Sequence, residues 1–177
     1  MADLFTHVLA GFVIGVVLSW RYDWITYPFV VVVMLGAALP DLNRLELLIS
    51  SSTVHVLLGV PFSWEPLHRA GGTLLVVCIG ALLAPREYRR AVFGLLFVGA
   101  ASHYVLDFFL YKPSGVTAPL LWPFVTHGFA VNGFYLSSDR WPAVVATVVV
   151  GVMWYVDRTM VDSQSTAATD EAIEVDR

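Results

Sequence analysis

Charge is scarce in this 177-residue chain. Only 14% of its residues are Asp, Glu, Lys or Arg, against about 25% in soluble domains. Lysine is nearly absent, with Lys112 alone among ten basic residues. With a formal charge of -4 and no long basic run, the chain lacks the clustered cations that phosphate backbones require, which excludes nucleic acid as the main partner. Cysteine is limited to Cys78, inside an apolar run, so no internal disulfide can form and the redox compartment stays unread. No cation precedes the first apolar run and no small-residue cleavage pattern follows it. Met1-Ala2-Asp3 is therefore a poor start for a secretory signal, and the run is expected to be a retained helix. There is no internal repeat.

What remains is apolar. Hydrophobic residues make up 58% of the chain and the mean hydropathy is +0.73, which indicates an integral membrane protein. The length fits one domain without a separate soluble catalytic module, so any chemistry is built into the bundle.

The hydrophobic runs predict helices over Asp3 to Trp20, Trp24 to Leu39, Trp64 to Leu83, Ala91 to Leu110 and Trp141 to Val156. Between the second and third, Leu42, Leu45, Leu48 and Ile49 recur at helical spacing, which predicts a short amphipathic helix at the interface. Ser50-Ser51-Ser52 and Gly59-Val60-Pro61 are expected to break that pattern. Residues 112 to 140 are rich in Pro, Gly and aromatics, and a broken or re-entrant helix packed against the site is expected there. The predicted fold is an all-α polytopic membrane helical bundle of about five or six helices over residues 1–160. An acidic, disordered tail, 161–177, is expected to follow.

Polar residues interrupt the helices at matching depths. His103 and Asp107 are four apart and share a helical face. Because the chain crosses out and back, His7 in the first helix, Asp41 after Pro40, His68 opening the third helix, and His103 with Asp107 all belong to one membrane face. Imidazole and carboxylate together suit zinc, and also manganese or iron. Asp41 is placed as ligand or general base, His68 as ligand or general acid, and Arg69 offers a planar fork for an anion.

Each residue taken singly has a plainer explanation. His7 can be an interhelical hydrogen-bond partner, Asp41 a turn residue after proline, and Asp107 a salt-bridge partner of Arg69 or Lys112. Glu65 reads as a first-turn helix charge, and His55 as structural or interfacial. His127 stays open, because it lies in the segment expected to cover the site. Trp20, Trp24, Trp122 and Trp141 read as interface anchors. One site explains the convergence more simply than five coincidences. Counting cations with the site face outside leaves Arg21, Arg86, Arg89, Arg90 and Arg158 inside, against four outside, so the site is expected to face away from the cytoplasm.

Thr6-His7 with Gly11, Leu39-Pro40-Asp41-Leu42, His68-Arg69, His103 with Leu106-Asp107, and Trp122-Pro123-Phe124 come in an order that resembles the YdjM-like family of membrane-bound metal-dependent hydrolases, also described as LexA-binding inner-membrane-associated proteins. The His-x-x-x-Asp element is also similar to one in zinc-dependent phospholipases C. The resemblance covers roughly residues 3 to 130 and implies a divalent metal held by His7, Asp41, His68, His103 and Asp107. The chain departs from the family pattern in having Asn43 where a second acid is common, and Gly72-Thr73 where a Thr-His pair is common. These departures count against a two-metal site and leave a single-metal or inactive one open. No residue supports LexA binding.

The expected function is hydrolysis of an ester or phosphoester, with a membrane lipid or small molecule as substrate. The alternatives are an ion or proton permease and a scaffold or regulator whose polar cluster is structural. The sequence leaves any protein partner unidentified.

Overall fold

Pro28 near the start of an apolar run sets where α2 begins, because the N–H it lacks is one that a helix start leaves unbonded. That helix is Tyr27–Ala38, preceded by α1 (Leu4–Arg21) and followed by α3 (Ser51–Leu58), α4 (Ala70–Leu83), α5 (Arg89–Phe108) and α6 (Trp141–Val175). The computed structural model describes residues 4–117, 119–130, 133–136 and 138–175, with side chains up to 159. Among them the regular structure is helical, apart from two isolated β-bridges.

Three stretches are long and apolar enough to cross a membrane: Leu4–Arg21, Tyr27–Leu47 and Arg89–Phe108. Helix α4, at 14 residues, is shorter. The expected stop at Pro40 is a tightening of the chain, with a 3-10 segment, Leu39–Leu47, running on directly from α2. This segment takes the place of most of the amphipathic helix expected over Leu42 to Ile49. The serine run begins α3 where a break was expected, since Ser50 Oγ accepts the Thr53 N–H at 3.1 Å and caps the helix. Gly59, at φ 68°, closes it in the left-handed conformation that glycine adopts freely. The predicted third helix is also divided, into a 3-10 turn, Glu65–His68, and α4, with extended backbone at Arg69 between them.

Helices α1, α2 and α5 form the centre, where Val16, Val30, Val33 and Leu95 are buried together. The crossing of α2 and α5 is nearly backbone on backbone. A Cβ on Gly36 would lie 2.3 Å from the Leu96 carbonyl oxygen, and one on Gly99 would lie 2.1 Å from that of Val33. Small residues permit such approach between apolar helices. Val77 of α4 packs on Leu96 and Ala100 of α5. At the opposite end from His7, Asp157 of α6 accepts from Trp20 Nε1 at 2.9 Å and from the Tyr27 hydroxyl.

The expectation of a broken or re-entrant helix over residues 112 to 140 is not met: among the described residues no helix forms there. Pro113, Pro119 and Pro123 remove N–H donors at short intervals, and irregular backbone results. Its polar groups bond elsewhere. Tyr111 N–H donates to the Tyr135 carbonyl at 2.7 Å, and Phe134 N–H to that of Phe109 at 2.8 Å. Ala70 and Gly71, at the start of α4, donate to the Leu120 and Trp122 carbonyls at 2.7 and 2.8 Å. This segment is therefore a strap over the end of the bundle that holds His7, Asp41 and Asp107. Helix α6 continues past Val156, where the apolar run ends, to Val175. The side chains of the acidic tail lie outside the described residues.

Candidate metal centre

The α2–α5 crossing sets the position of His103. With the backbones so close, its Nδ1 lies 2.9 Å from the Ala37 carbonyl oxygen. His68 is held in the same way, with its Nδ1 3.0 Å from the Pro40 carbonyl oxygen. Carbonyl oxygens only accept, so both Nδ1 atoms donate, and in a neutral ring each Nε2 presents a lone pair. His103, with its outer nitrogen fixed by a carbonyl and its inner one without a hydrogen bond, has the arrangement of a metal ligand, while the inner nitrogen of His68 is engaged by Asp107.

The inner nitrogens converge on Asp107. His68 Nε2 lies 2.9 Å and His103 Nε2 3.8 Å from its Oδ2, while His7 Nε2 lies 3.5 Å from its Oδ1. The His7 and His103 rings stack with centroids 3.7 Å apart. His7, His103 and Asp107 are at most 1% exposed. Asp41 is 4% exposed, and its Oδ1 lies 3.1 Å from Arg44 Nε. Five side chains from four parts of the chain therefore meet at one end of the bundle.

The donor set fits a divalent ion. His7, His103 and Asp107 form one group whose ligand atoms lie within 4.8 Å of one another, and Asp41, His68 and His103 form another, sharing His103. His7 Nδ1 and Nε2, His103 Nε2 and both Asp41 oxygens are buried without a hydrogen bond. Each buried unsatisfied group costs about 1–3 kcal/mol. The short His68 to Asp107 contact sets a lone pair against a carboxylate when His68 is neutral, and a proton or a shared cation relieves it.

Other polar residues stand outside this cluster. Asp107 pairs with histidines; neither Arg69 nor Lys112 forms an ion pair with it. Arg69 donates to Glu65 Oε1 at 2.7 Å, with its guanidinium 5.9 Å from the Trp122 ring centroid. His55 and His127 are exposed and away from the cluster, with His55 Nδ1 2.7 Å from the Val60 carbonyl oxygen. Thr73 is no ligand. Its hydroxyl donates to the Leu67 carbonyl at 2.8 Å and accepts from Tyr104 at 2.6 Å, which braces the residue before His68.

Four supports have no clear signature in the sequence: the Ala37 and Pro40 carbonyls, Tyr104 and Tyr135. A tyrosine beside His103 in an apolar helix was the one visible signal. Tyr135 donates to the Leu106 carbonyl at 2.7 Å. Burial, with the nearby Asp107 carboxylate, pushes its phenol up to about 12, so it remains a donor at neutral pH.

A family model described as YdjM inner membrane protein matches residues 1–169. No curated protein and no solved structure matches the chain.

Proposed function

Because the chain belongs to the YdjM inner membrane protein family, its polar cluster works inside a membrane protein, and we propose that it is the centre of a metal-dependent hydrolase acting on an ester or phosphoester. The observation that carries this reading is the set of inward nitrogens of His7, His68 and His103 around Asp107, with two of the rings fixed from behind by carbonyls.

His7, Asp41, His68, His103 and Asp107 hold the ion, with zinc the best match to the donor types and manganese or iron alternatives. When bound, the ion supplies Lewis acidity that polarises the scissile group and acidifies water. Asp41, with Oδ1 paired to Arg44 at 3.1 Å and Oδ2 buried without a hydrogen bond, is either one of these ligands or the base that takes a proton from water. His68, the most accessible of the three histidines, is either one of these ligands or, standing outside the ligand set, the general acid that protonates the leaving group. Arg69 holds the anion that develops.

A membrane lipid is the favoured substrate. Leu47, Leu48, Val56 and Leu57, in and before α3, are 76–84% exposed, and α3 follows the 3-10 segment that carries Asp41. Such an apolar surface suits the lipid interface. Helix α4 and the first half of α6 join the three long helices in the membrane, and the site faces away from the cytoplasm.

Elemental analysis of the detergent-purified protein tests the reading. About one tightly held transition metal per chain is expected in the parent, with none in His103→Ala or Asp107→Ala, while all three insert into the membrane. Parent protein that stays metal-free after incubation with zinc and manganese would leave the cluster as a structural network only.

A further inference from the structure

The hydrolase reading leaves open what the substrate presents besides its scissile bond, and a cavity beside the cluster bears on this. It encloses about 250 Å³, and its polar walls are Asn43, Glu65, His68, Arg69, Asp107 and Lys112. His68 and Asp107 belong to the cluster, so one side of the cavity is the candidate metal centre. The other walls carry two cations.

Neither cation is fully used by the protein. Arg69 gives one N–H to Glu65, while its Nε is buried without a hydrogen bond. The Trp122 ring lies at 5.9 Å from the guanidinium, which favours a fixed plane for the fork. Glu65 is a weak competitor, because its side chain is 63% exposed. Among the described residues Lys112 has no ion pair. Asn43 Oδ1 is also buried without a partner, and an amide side chain can offer oxygen or NH₂ to a ligand.

We propose that this cavity is a phosphate subsite, in which Arg69 and Lys112 bind the anionic oxygens of a phosphoester and Asn43 contacts the remaining polar edge. The proposal rests on the hydrolase reading for its purpose but not for its chemistry. A tetrahedral phosphate has oxygens enough to meet the two cations and the cluster together, whereas a carboxylate has two in one plane. The guanidinium fork matches phosphate geometry bidentately, and lysine adds a point charge. The substrate class is therefore a phosphoester, whether a lipid headgroup or a soluble phosphate monoester.

Equilibrium dialysis of radiolabelled inorganic phosphate against the purified full chain in detergent is the test. Arg69→Gln and Lys112→Gln are each expected to weaken binding about tenfold, and Lys112→Arg to stay near the parent. Glu65→Gln is expected to tighten binding by freeing Arg69, a gain that misfolding cannot mimic. Displacement of the label by short-chain phosphatidate but not by glycerol 3-phosphate supports the subsite with a lipid source, and displacement by both supports it with a soluble one. Phosphate binding that is undetectable in the parent, as tight in Arg69→Gln and Lys112→Gln as in the parent, or displaced as well by acetate overturns the proposal. Phosphate binding in a protein that holds no metal upholds the subsite while removing the hydrolase reading.

Discussion

Asp107 shows how far a single residue depends on its setting. At 1% exposure a carboxylate is costly unless paired, and removing one partner of a buried pair typically costs about 3–5 kcal/mol. Three imidazoles meet that need here, while Arg69 and Lys112, the salt-bridge partners the sequence suggested, line the adjoining cavity. The sequence showed that His103 and Asp107 share a face, because helical periodicity alone dictates it. It could not show which atoms hold the histidines from behind, because backbone carbonyls have no signature in a sequence. Tyr135 gives a prediction at this scale. Its phenol ionises near 10 in an unfolded chain but at about 12 in the fold, so its contribution to stability is complete below pH 10 and is lost as pH rises from 10 to 12. Thermal unfolding in detergent should show the parent losing stability more steeply across that window than Tyr135→Phe. At pH 7 the variant should be about 1 kcal/mol less stable, for want of the bond to Leu106. Parallel pH curves for the two proteins would rule out this role.

Among the elements, α2 and α5 matter most to the site, and glycine sets their separation. Gly99→Ala places a methyl against the Val33 carbonyl, so the helices must part, at a cost of about 1–3 kcal/mol. Parting also lengthens the contact between His103 and the Ala37 carbonyl. Gly94 lies on the same helix with nothing within 4 Å of an added Cβ, and alanine there should stabilise α5 by about 0.5–1 kcal/mol. Paired unfolding and metal-content measurements should find both reduced in Gly99→Ala and neither reduced in Gly94→Ala; equal behaviour would mean that the crossing does not control the site. Hydropathy located these helices to within a few residues, because burial in lipid requires long apolar runs. It misjudged α3 and the strap, since a serine cap and pairing with distant backbone outweighed the local pattern.

For the molecule as a whole, the alternation of helices brings every cluster residue to one end, with the strap of residues 112 to 140 above it. If that end faces away from the cytoplasm, a cysteine at exposed Ser114 should react with a membrane-impermeant maleimide on intact spheroplasts. One at exposed Glu87, in the loop between α4 and α5, should react only after lysis, with Cys78→Ala as background. The reverse pattern would put the site inside. The sequence by itself determined that this is a helical membrane protein and that His7, Asp41, His68, His103 and Asp107 belong to one face, because hydrophobic length and crossing parity are properties of the chain in order. Only the tertiary structure decided that His7, His103 and Asp107 form one group within ligand distance and Asp41, His68 and His103 another, that Thr73 braces a loop, and that Arg69 and Lys112 line one cavity. Those outcomes depend on how closely helices pass and on where unpaired carbonyls point, which are set by packing between segments far apart in the chain.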